Sequence, residues 1–505
     1  MKHGLVYLVG AGPGDAELIT MKAVRCLREA EVVVYDRLAD PRILDHAPAE
    51  AERIYVGKAS SQHTMRQGDI NQLLVRLAKA GKVVVRLKGG DPYVFGRGGE
   101  EVLALVEAGQ AFEVVPGITS AIAVPSYAGI PVTHRGVAAS FAVVTGHEDP
   151  DKTKSSLRWR ELATAVDTLI FLMGVENLPY ITKQLIDNGR SGDTPAAVIR
   201  WGTKPEQRTL VTTVSKAVAD VEAAGLTPPA IFIVGDVVRL RESLSWFETR
   251  PLFGKRIVVT RARAQASALT GRLERLGAEV LEVPAITITA PDSYEPLDAA
   301  IGTLAAYQWL VFTSVNGVDA FFARLHAVGK DTRALATAKI AAIGAETALR
   351  LHSYGIEPDI VPFEFRAEGV WKAMEPLVQA GQKVLIPRAE AARDYLPNKL
   401  KEAGLDVHVV SAYKTVIDTS ERELLVTALK KGETEMITFT SSSTVTNLLT
   451  MLGNDADLLK NVKLACIGPV TADTCYKHDL KPTLIADEFT IPGLVEAITA
   501  YYKEE

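Results

Sequence analysis

Residues 82–101 read KVVVRLKGGDPYVFGRGGEE, and this stretch decides the fold of the first half of the chain. It begins with the β-branched run of a buried strand, continues as a glycine-rich loop, and ends where a helix starts. Gly89 and Gly90 permit positive φ angles and let the backbone approach a ligand closely. Asp91 could accept hydrogen bonds from an amine or a ribose hydroxyl. The alternative is a tight turn that is needed only for folding.

The same alternation of strand and helix continues on both sides of this loop. Strand-like runs read VYLVG, EVVVYD and FEVVPG at residues 6–10, 31–36 and 112–117. Residues 17–30 (ELITMKAVRCLREA) have a helical pattern that places four apolar residues on one face: Leu18, Ala23, Val24 and Leu27. This alternation predicts an α/β fold.

The composition is that of a globular protein with more than one domain. The chain has 505 residues, of which 47% are hydrophobic and 23% are charged. The apolar run at residues 5–9 is too short for a signal peptide or a membrane span, and the three cysteines lack metal-ligand spacing. With a net charge of −5 as well, we expect a cytoplasmic protein that binds no membrane, no nucleic acid and no metal.

A boundary between domains is predicted at residues 240–254 (LRESLSWFETRPLFG), which carry charges and a proline but no sustained period. A new strand, KRIVVTR, follows immediately. We therefore expect one domain at residues 1–245 and another at residues 251–505.

The second domain contains an internal repeat. Residues 255–280 match residues 382–407 and WLVFTSVNGV matches MITFTSSSTV, both 127 positions apart, while Gly344 and Gly468 match at an offset of 124. The repeat predicts two similar α/β lobes, one in each copy, with ligand surfaces at the carboxyl ends of parallel strands and a cleft between them. The alternative is a decayed duplication with no shared site.

The segment VGAGPGD at residues 9–15 is similar to the dinucleotide fingerprint G-x-G-x-x-G, but it lacks the third glycine. Asp15 stands there instead, where its carboxylate would cap a helix and repel a pyrophosphate. Pro13 also removes a backbone N–H that could bind phosphate. These residues argue against a nicotinamide cofactor.

A third segment, EVVPGITSAIAVPSYAGIPVTHR, spans residues 113–135 and places Thr119 and Ser120 at the start of a helix. Their hydroxyls could cap that helix or contact a ligand. The segment itself leaves both roles open.

These three segments, in this order, resemble the tetrapyrrole methylases, and among them the uroporphyrinogen-III C-methyltransferases. The resemblance covers about residues 5–238 and includes YDRL at residues 35–38, VGK at 56–58, FLMG at 171–174 and RWGT at 200–203. It implies a two-lobed α/β fold, S-adenosylmethionine as the cofactor, no metal, and a homodimer.

The resemblance also implies roles for particular residues. S-adenosylmethionine would contact Pro13, Gly89, Gly90, Asp91, Val94, Thr119, Ser120, Met173 and Gly202. Asp36 would be the proton acceptor and Lys58 the proton donor, although Lys58 could instead pair with a substrate carboxylate. The substrate carries many carboxylates, for which the candidate partners are Arg37, Arg97, His134 and Arg135, each of which could equally be a solvated surface charge.

From about residue 254 onward, the chain resembles the uroporphyrinogen-III synthases, both in its duplicated plan and in residues 436–445 and 468–472. The implied reaction closes a flexible linear tetrapyrrole, which requires positioning more than acid–base chemistry. Polar groups after the strands are expected to bind this substrate, namely Thr313, Ser314, Thr440, Ser441, Ser442 and Thr471. Tyr413 matches a tyrosine proposed to help the leaving hydroxyl depart, but it could also be a packed strand residue.

Together the two resemblances predict a bifunctional enzyme of porphyrin biosynthesis. Its C-terminal half would cyclise hydroxymethylbilane to uroporphyrinogen III, and its N-terminal half would transfer two methyl groups to that product and yield precorrin-2. Siroheme and cobalamin both remain open as the destination. The alternative is a methylase for a later corrin precursor, joined to a non-catalytic tetrapyrrole-binding module.

Overall fold

The computed structural model describes residues 4–57, 65–146, 155–260 and 263–504, without the side chains of residues 263–267. In it the valine-rich run at residues 83–88 forms a central strand. This strand, β4, belongs to a sheet with the order β3-β2-β4-β1-β5, in which the paired strands are parallel. The strands are β1 (Leu5–Gly10), β2 (Val32–Tyr35), β3 (Glu52–Tyr55), β4 (Val83–Lys88) and β5 (Ala111–Val115). The strand-like runs of the sequence are therefore confirmed as β1, β2, β4 and β5.

A second sheet follows, with the order β6-β7-β10-β8-β9 and mostly antiparallel pairs. Its strands are β6 (Phe141–Thr145), β7 (Thr168–Leu172), β8 (Pro195–Arg200), β9 (Arg208–Thr213) and β10 (Ala230–Val234). The helices of this half are α1 (Met21–Arg28), α2 (Gln67–Lys79), α3 (Gly98–Glu107), α4 (Ser120–Tyr127), α5 (Trp159–Ala165), α6 (Leu178–Asp187), α7 (Ala217–Ala224) and α8 (Arg241–Leu244), with 3₁₀ helices at Ala16–Leu18, Pro41–His46 and Asp236–Leu240.

The described chain divides into two compact units. The N-terminal unit extends to Lys255 and also includes Leu273–Glu279, and the C-terminal unit comprises Arg256–Arg272 and Val280–Glu504. Among the helices within these described ranges, none combines the length and apolar character needed to cross a bilayer.

The C-terminal unit contains two further sheets, which define two lobes. The sheet of lobe A has the order β13-β17-β16-β14-β15, and that of lobe B has the order β12-β11-β18-β19-β20. The strands are β11 (Arg256–Val259), β12 (Glu279–Glu282), β13 (Ile286–Thr289), β14 (Trp309–Phe312), β15 (Lys339–Ala342), β16 (Lys383–Ala389), β17 (Asp406–Ile417), β18 (Met436–Phe439), β19 (Lys463–Cys466) and β20 (Leu484–Ile485). The helices are α9 (Arg263–Arg275), α10 (Glu295–Gly302), α11 (Val315–Ala327), α12 (Ala345–Ser353), α13 (Ala367–Met374), α14 (Tyr395–Glu402), α15 (Arg422–Lys430), α16 (Ser442–Leu452), α17 (Pro469–Lys477) and α18 (Ile491–Glu504), with 3₁₀ helices at Leu304–Ala306, Thr332–Leu335 and Gly453–Asn461.

The lobes do not correspond to the two copies of the repeat, so the expectation of one lobe per copy is wrong. β11 begins the first copy but pairs with β18 of the second copy, and β14 of the first copy pairs with β16 of the second. Each lobe thus combines the start of one copy with the end of the other. Lobe A also departs from a purely parallel sheet, because β13 pairs antiparallel with β17.

Two buried threonines join the copies within lobe B. The Thr260 hydroxyl donates to the Thr438 carbonyl at 2.8 Å, and the Thr438 hydroxyl donates to the Val258 carbonyl at 3.0 Å. Both threonine side chains are buried. These hydrogen bonds exist only because strands from different copies lie side by side.

We predict that Thr438→Val lowers the free energy of unfolding by about 0.5–1.5 kcal/mol, because it removes a buried hydrogen bond between the two copies. Denaturant unfolding of the full chain measures the effect. Thr450→Val is the matched control: this exposed hydroxyl bonds only to its own helix, so a change within about 0.5 kcal/mol is expected. Equal effects of the two substitutions would contradict the exchange of strands between copies.

Candidate active site

Three loops meet at the carboxyl ends of β1, β4 and β5 because glycines allow their backbones to touch. A Cβ atom on Gly10 would lie 2.5 Å from the Gly117 Cα, and a Cβ on Gly117 would lie 2.3 Å from the Gly90 carbonyl oxygen. The Gly90 N–H also donates to the Gly12 carbonyl at 2.6 Å. No side chain fits between these loops, so glycine is required at the crossing.

Asp91 fixes the loop that follows β4. One carboxylate oxygen accepts from the Tyr93 N–H at 2.8 Å, and the other accepts from the Gly117 N–H at 3.0 Å. The sequence suggested that this carboxylate binds a ligand. In the structure both oxygens already accept backbone donors, and each retains lone-pair capacity toward the adjoining space.

These loops form one wall of a cavity of about 700 Å³ in the N-terminal unit. All nine residues that the resemblance assigns to S-adenosylmethionine line this cavity, together with Asp36 and Arg97. The second sheet contributes the opposite wall through the ends of β7, β8 and β10, with Leu172, Ile199 and Ile231 among the lining residues. The structure thus brings together residues that are far apart in the sequence.

Strained backbone is concentrated at the same cavity. Four residues other than glycine line it with positive φ angles: Phe95 (52°), Arg97 (58°), Met173 (57°) and Trp201 (50°). Such conformations are costly for residues with a Cβ atom and cluster at ligand sites, where the surrounding structure maintains them. Because Met173 is also half exposed, the local fold does not hold this side chain in a core.

A buried cluster of charges underlies the cavity. Arg86 and Lys88 occupy alternate positions of β4, so their side chains lie on the same face of the sheet. One oxygen of Glu101, which is 0% exposed, accepts from Lys88 Nζ at 2.9 Å, Gln67 Nε2 at 3.2 Å and Arg86 Nε at 3.3 Å. Its other oxygen has no hydrogen-bond partner among the described residues. Burial, followed by the positive charge of Arg86, lowers the pKa of Lys88, although the Glu101 carboxylate opposes that shift.

Asp36 is oriented by this cluster. One of its oxygens accepts from the Leu38 N–H at 3.1 Å, and the other accepts from the buried Arg86 guanidinium at 3.1 Å. Asp36 therefore reaches the cavity in a fixed orientation. Lys58, its expected catalytic partner, lies outside the described residues.

The four basic residues expected to bind substrate are not gathered in one place. Arg97 lines the cavity and pairs with Glu100 at 2.7 Å, while the exposed Arg37 lies 5.8 Å from the centre of the Trp201 ring. His134 and Arg135 lie in an exposed turn and do not line the cavity. Lys204, which was not expected from the sequence, lines the cavity and lies 5.3 Å from the same Trp201 ring.

Sequence reasoning also missed Arg86, Lys88 and Glu101. The signal was available in the sequence: two cations at alternate positions of an otherwise apolar strand require buried counter-charges.

The interpretation of Asp15 as a helix cap is confirmed, since its carboxylate accepts from the Glu17 N–H at 2.9 Å and caps the short helix Ala16–Leu18. Within the described part of the chain, no cluster of His, Cys, Asp and Glu could hold a metal ion.

The C-terminal unit contains a matched pair of helix starts. Ser314 caps α11 by accepting from the Gly317 N–H at 3.0 Å, and Ser441 caps α16 by accepting from the Thr444 N–H at 3.3 Å. Their backbone angles are nearly identical, with φ of −168° and −167°. These two expected substrate-binding hydroxyls therefore act as helix caps, one in each lobe.

Tyr413 and Ser314 lie in contact. The Tyr413 phenol and the Ser314 hydroxyl are 3.0 Å apart, although the Tyr413 ring packs in the core of lobe A. Tyr413 is therefore a packed strand residue whose phenol contacts a strand-end loop, and its role with the leaving hydroxyl stays a prediction. The other expected side chains follow strand ends as well: Thr313 after β14, Thr440 and Ser442 after β18, and the buried Thr471 in the first turn of α17.

Two family models match the chain. The model for tetrapyrrole (corrin/porphyrin) methylases matches residues 5–218, and the model for uroporphyrinogen-III synthase HemD matches residues 267–496. The porphyrin biosynthesis protein HemD of Ruminiclostridium josui is 39% identical over 498 residues, which cover 99% of this chain and 98% of that protein.

Other similar proteins cover only the N-terminal half. An S-adenosyl-L-methionine-dependent uroporphyrinogen III methyltransferase of Methanosarcina barkeri is 54% identical over 242 residues, which cover 48% of this chain and 95% of that protein. This half is also similar to a crystal structure of the uroporphyrin-III C-methyl transferase of Thermus thermophilus complexed with S-adenosyl homocysteine. The sequence identity is 46% and the TM-score is 0.40, and the match covers 46% of this chain and 93% of the Thermus chain.

We predict that Glu101→Gln destabilises the N-terminal unit by about 3–5 kcal/mol, because the buried Lys88 loses its counter-charge and Arg86 keeps only Asp36 as a carboxylate partner among the described residues. Calorimetric unfolding of the full chain measures this effect. Adding Lys88→Met in the same chain should recover part of the loss, since the uncompensated ammonium group is then removed. Glu100→Gln is the matched control, because its pair with Arg97 is exposed and worth at most about 1 kcal/mol. If Glu101→Gln were as mild as this control, the buried cluster would not support the fold.

Proposed function

The chain belongs to the porphyrin biosynthesis protein HemD family, with a tetrapyrrole methylase domain followed by a uroporphyrinogen-III synthase domain, and on this premise we propose its two reactions in detail. It is a bifunctional enzyme. Residues 251–505 close hydroxymethylbilane to uroporphyrinogen III. Residues 1–245 then methylate that product twice and yield precorrin-2, a precursor of siroheme and of cobalamin.

S-adenosylmethionine fits the cavity of the N-terminal unit. A volume of about 700 Å³ lies within the range of about 300–1,000 Å³ that small-molecule sites occupy. Gly90 lies on the wall with a φ of 69° and has nothing closer than 3.8 Å to its missing Cβ, so its backbone is open to a ligand. We propose that Gly89, Gly90, Asp91 and Val94 hold the cofactor on one side, and Pro13, Thr119, Ser120, Met173 and Gly202 on the others.

The concentration of strained backbone at this cavity carries the proposal. Four positive φ angles at residues with a Cβ atom would each cost on the order of 1–3 kcal/mol in an ordinary loop. Selection for folding alone would replace such residues with glycine. Their presence around a lined cavity is explained if their side chains or carbonyls contact a ligand.

S-adenosylmethionine supplies an electrophilic methyl group, so this chain must position the substrate carbon and dispose of a proton. Asp36 is the proposed proton acceptor, because it lines the cavity and its carboxylate is fixed by Leu38 and Arg86. The role of Lys58, either as proton donor or as partner of a substrate carboxylate, stays a prediction. Arg97 and Lys204, which line the cavity, are proposed to pair with the substrate's carboxylate arms, together with Arg37, which lies 5.8 Å from the centre of the lining Trp201 ring. His134 and Arg135 stay predictions, since they do not line the cavity.

In the C-terminal unit, the proposed reaction needs a substrate held in one shape and a group that helps hydroxide leave. Tyr413 could donate its phenolic proton to that hydroxide, and Ser314, at 3.0 Å, could orient the phenol. We propose that Thr313, Thr440, Ser441, Ser442 and Thr471 contribute backbone and hydroxyl contacts to the substrate at the strand ends. The rest of the catalysis is entropic positioning.

Three properties of the whole protein are also proposed. It forms a homodimer through the methylase domain, acts in the cytoplasm, and binds tetrapyrroles and no nucleic acid. A net charge of −5 supports the last of these proposals.

We predict that the full-length protein converts fresh hydroxymethylbilane to type-III uroporphyrinogen without S-adenosylmethionine, and to a doubly methylated product with it. Chromatography and mass spectrometry of the oxidised products measure both activities. Type-I uroporphyrin alone in both samples would overturn the synthase half, and absence of methylation of preformed uroporphyrinogen III would overturn the methylase half. Type-III uroporphyrin without methylation would overturn the methylase half only.

We predict that Asp36→Asn slows methyl transfer by about 10²–10⁴-fold, because the proton acceptor is removed while the shape is kept. Binding of S-adenosylmethionine, followed by calorimetry, should be retained. Asp45→Asn is the matched control, since this exposed aspartate lies on the helix Pro41–His46 and does not line the cavity. A rate for Asp36→Asn equal to that of the control would show that another group accepts the proton.

A further inference from the structure

The two lobes of the C-terminal unit share a short feature beyond the caps of α11 and α16. Residues 364–369 read EFRAEG and residues 488–493 read EFTIPG, so the pattern E-F-x-x-x-G recurs after 124 positions. The same offset relates Gly344 to Gly468. Other residues in and beside the pattern differ, since Phe363 corresponds to Asp487 and Arg366 to Thr490.

The recurring phenylalanines are presented by the same turn. The Arg366 N–H donates to the Glu364 carbonyl at 2.7 Å, and the Thr490 N–H donates to the Glu488 carbonyl at 2.8 Å. Phe365 and Phe489 are therefore each the central residue of a three-residue turn. The glycine of each pattern leaves room for this turn, because a Cβ on Gly369 would lie 2.1 Å from the Glu364 carbonyl oxygen, and a Cβ on Gly493 would lie 2.3 Å from that of Glu488.

Each phenyl ring rests on a second glycine at the start of a helix. A Cβ on Gly344 would lie 3.0 Å from Cδ1 of Phe365, and a Cβ on Gly468 would lie 3.0 Å from Cδ1 of Phe489. The φ angles of these glycines, −174° and −177°, are ordinary extended values that any residue adopts. The backbone does not require glycine at these positions. Glycine is required there because the phenyl ring leaves little room for a Cβ atom.

Although each ring packs closely against its glycine, both rings remain largely exposed to solvent. Phe365 is 65% exposed and Phe489 is 63% exposed. A ring that served only to cover the helix start would bury most of its surface. Single exposed apolar residues are common, but two copies with the same turn, the same glycine seat and the same exposure indicate a shared use.

The position of the rings indicates what that use is. In lobe A, Gly344 follows β15 and Ser314 follows the neighbouring parallel strand β14, so the ring lies at the same sheet edge as Ser314 and Tyr413. In lobe B, Gly468 follows β19 and Ser441 follows its neighbour β18. Each lobe thus presents one apolar ring beside hydroxyl groups at the edge where α/β sheets bind ligands.

We propose that Phe365 and Phe489 each contact a pyrrole ring of the linear tetrapyrrole substrate, one in each lobe. This inference rests on the synthase activity proposed above. A pyrrole is a flat ring with apolar faces, and a phenyl ring packs against it in an offset or edge-on arrangement, while the carboxylate arms stay beside polar groups and water. Two contacts on separate rings of one flexible chain restrict its shape, which is what selective closure requires.

The test uses the full-length protein and hydroxymethylbilane without S-adenosylmethionine. Phe365→Ala and Phe489→Ala should each raise KM by about two- to tenfold, since an aromatic contact is worth roughly 0.5–1.5 kcal/mol. The proportion of type-I uroporphyrin should also rise, because bilane that is not held closes without inversion. Phe365→Tyr and Phe489→Tyr keep the ring and should keep the wild-type KM.

Phe363→Ala is the matched control. It removes a fully exposed phenylalanine that lies two positions from Phe365 and has no counterpart in lobe B, so KM and the isomer ratio should not change. If the wild type forms type-III product but the alanine variants at 365 and 489 behave like this control, the inference is wrong and the synthase activity stands. If the wild type forms only type-I product, both are wrong. A change of oligomeric state on ultracentrifugation, with KM unaltered, would assign the rings to contacts between copies of the chain and overturn the inference.

Discussion

The contact of three backbones at Gly10, Gly90 and Gly117 is the constraint on which the N-terminal site depends. With the loops this close, the Asp91 carboxylate can accept from Gly117 across the crossing, and the loop after β4 becomes rigid. Only a rigid loop can maintain the positive φ angles of Phe95 and Arg97, which follow within a few residues. A methyl group at the crossing would separate the loops, and the strain at the cavity would then relax.

Much of this site was predictable from the sequence, because glycine-rich segments between a strand and a helix indicate both the backbone conformation and the edge of the sheet. These segments indicated the position of the site, and the nine cofactor residues that the family resemblance named all line one cavity there. The buried charges were not predicted. Arg86 and Lys88 are visible in the sequence, but their counter-charge, Glu101, comes from the next helix among several acidic residues. The choice of Glu101 over its neighbour Glu100 depends on which face of α3 is buried, and this is a tertiary property.

The exchange of strands in the C-terminal unit was also beyond the sequence. A repeat shows which segments have the same local structure, but it does not show which copy supplies the neighbouring strand. The structure resolves this through the two segments that cross between lobes, which lie beside each other: the Asp418 N–H donates to the Ala285 carbonyl at 3.2 Å. The long strand β17 and its antiparallel partner β13 extend this pairing into lobe A. Two crossings that pair with each other require each lobe to contain parts of both copies.

The two proposed reactions account for the different character of the two sites. Methyl transfer to a carbon leaves a proton to be removed, so a carboxylate must be held in a defined orientation, and Asp36 is held by a buried guanidinium. That guanidinium needs its own buried counter-charge, which explains why ionised groups extend from the cavity to Glu101. Ring closure with loss of hydroxide requires mainly that a flexible chain be held in one shape. Neutral hydroxyls, helix caps and paired phenyl rings are sufficient for that task, and a fold with two similar lobes can supply each of them twice.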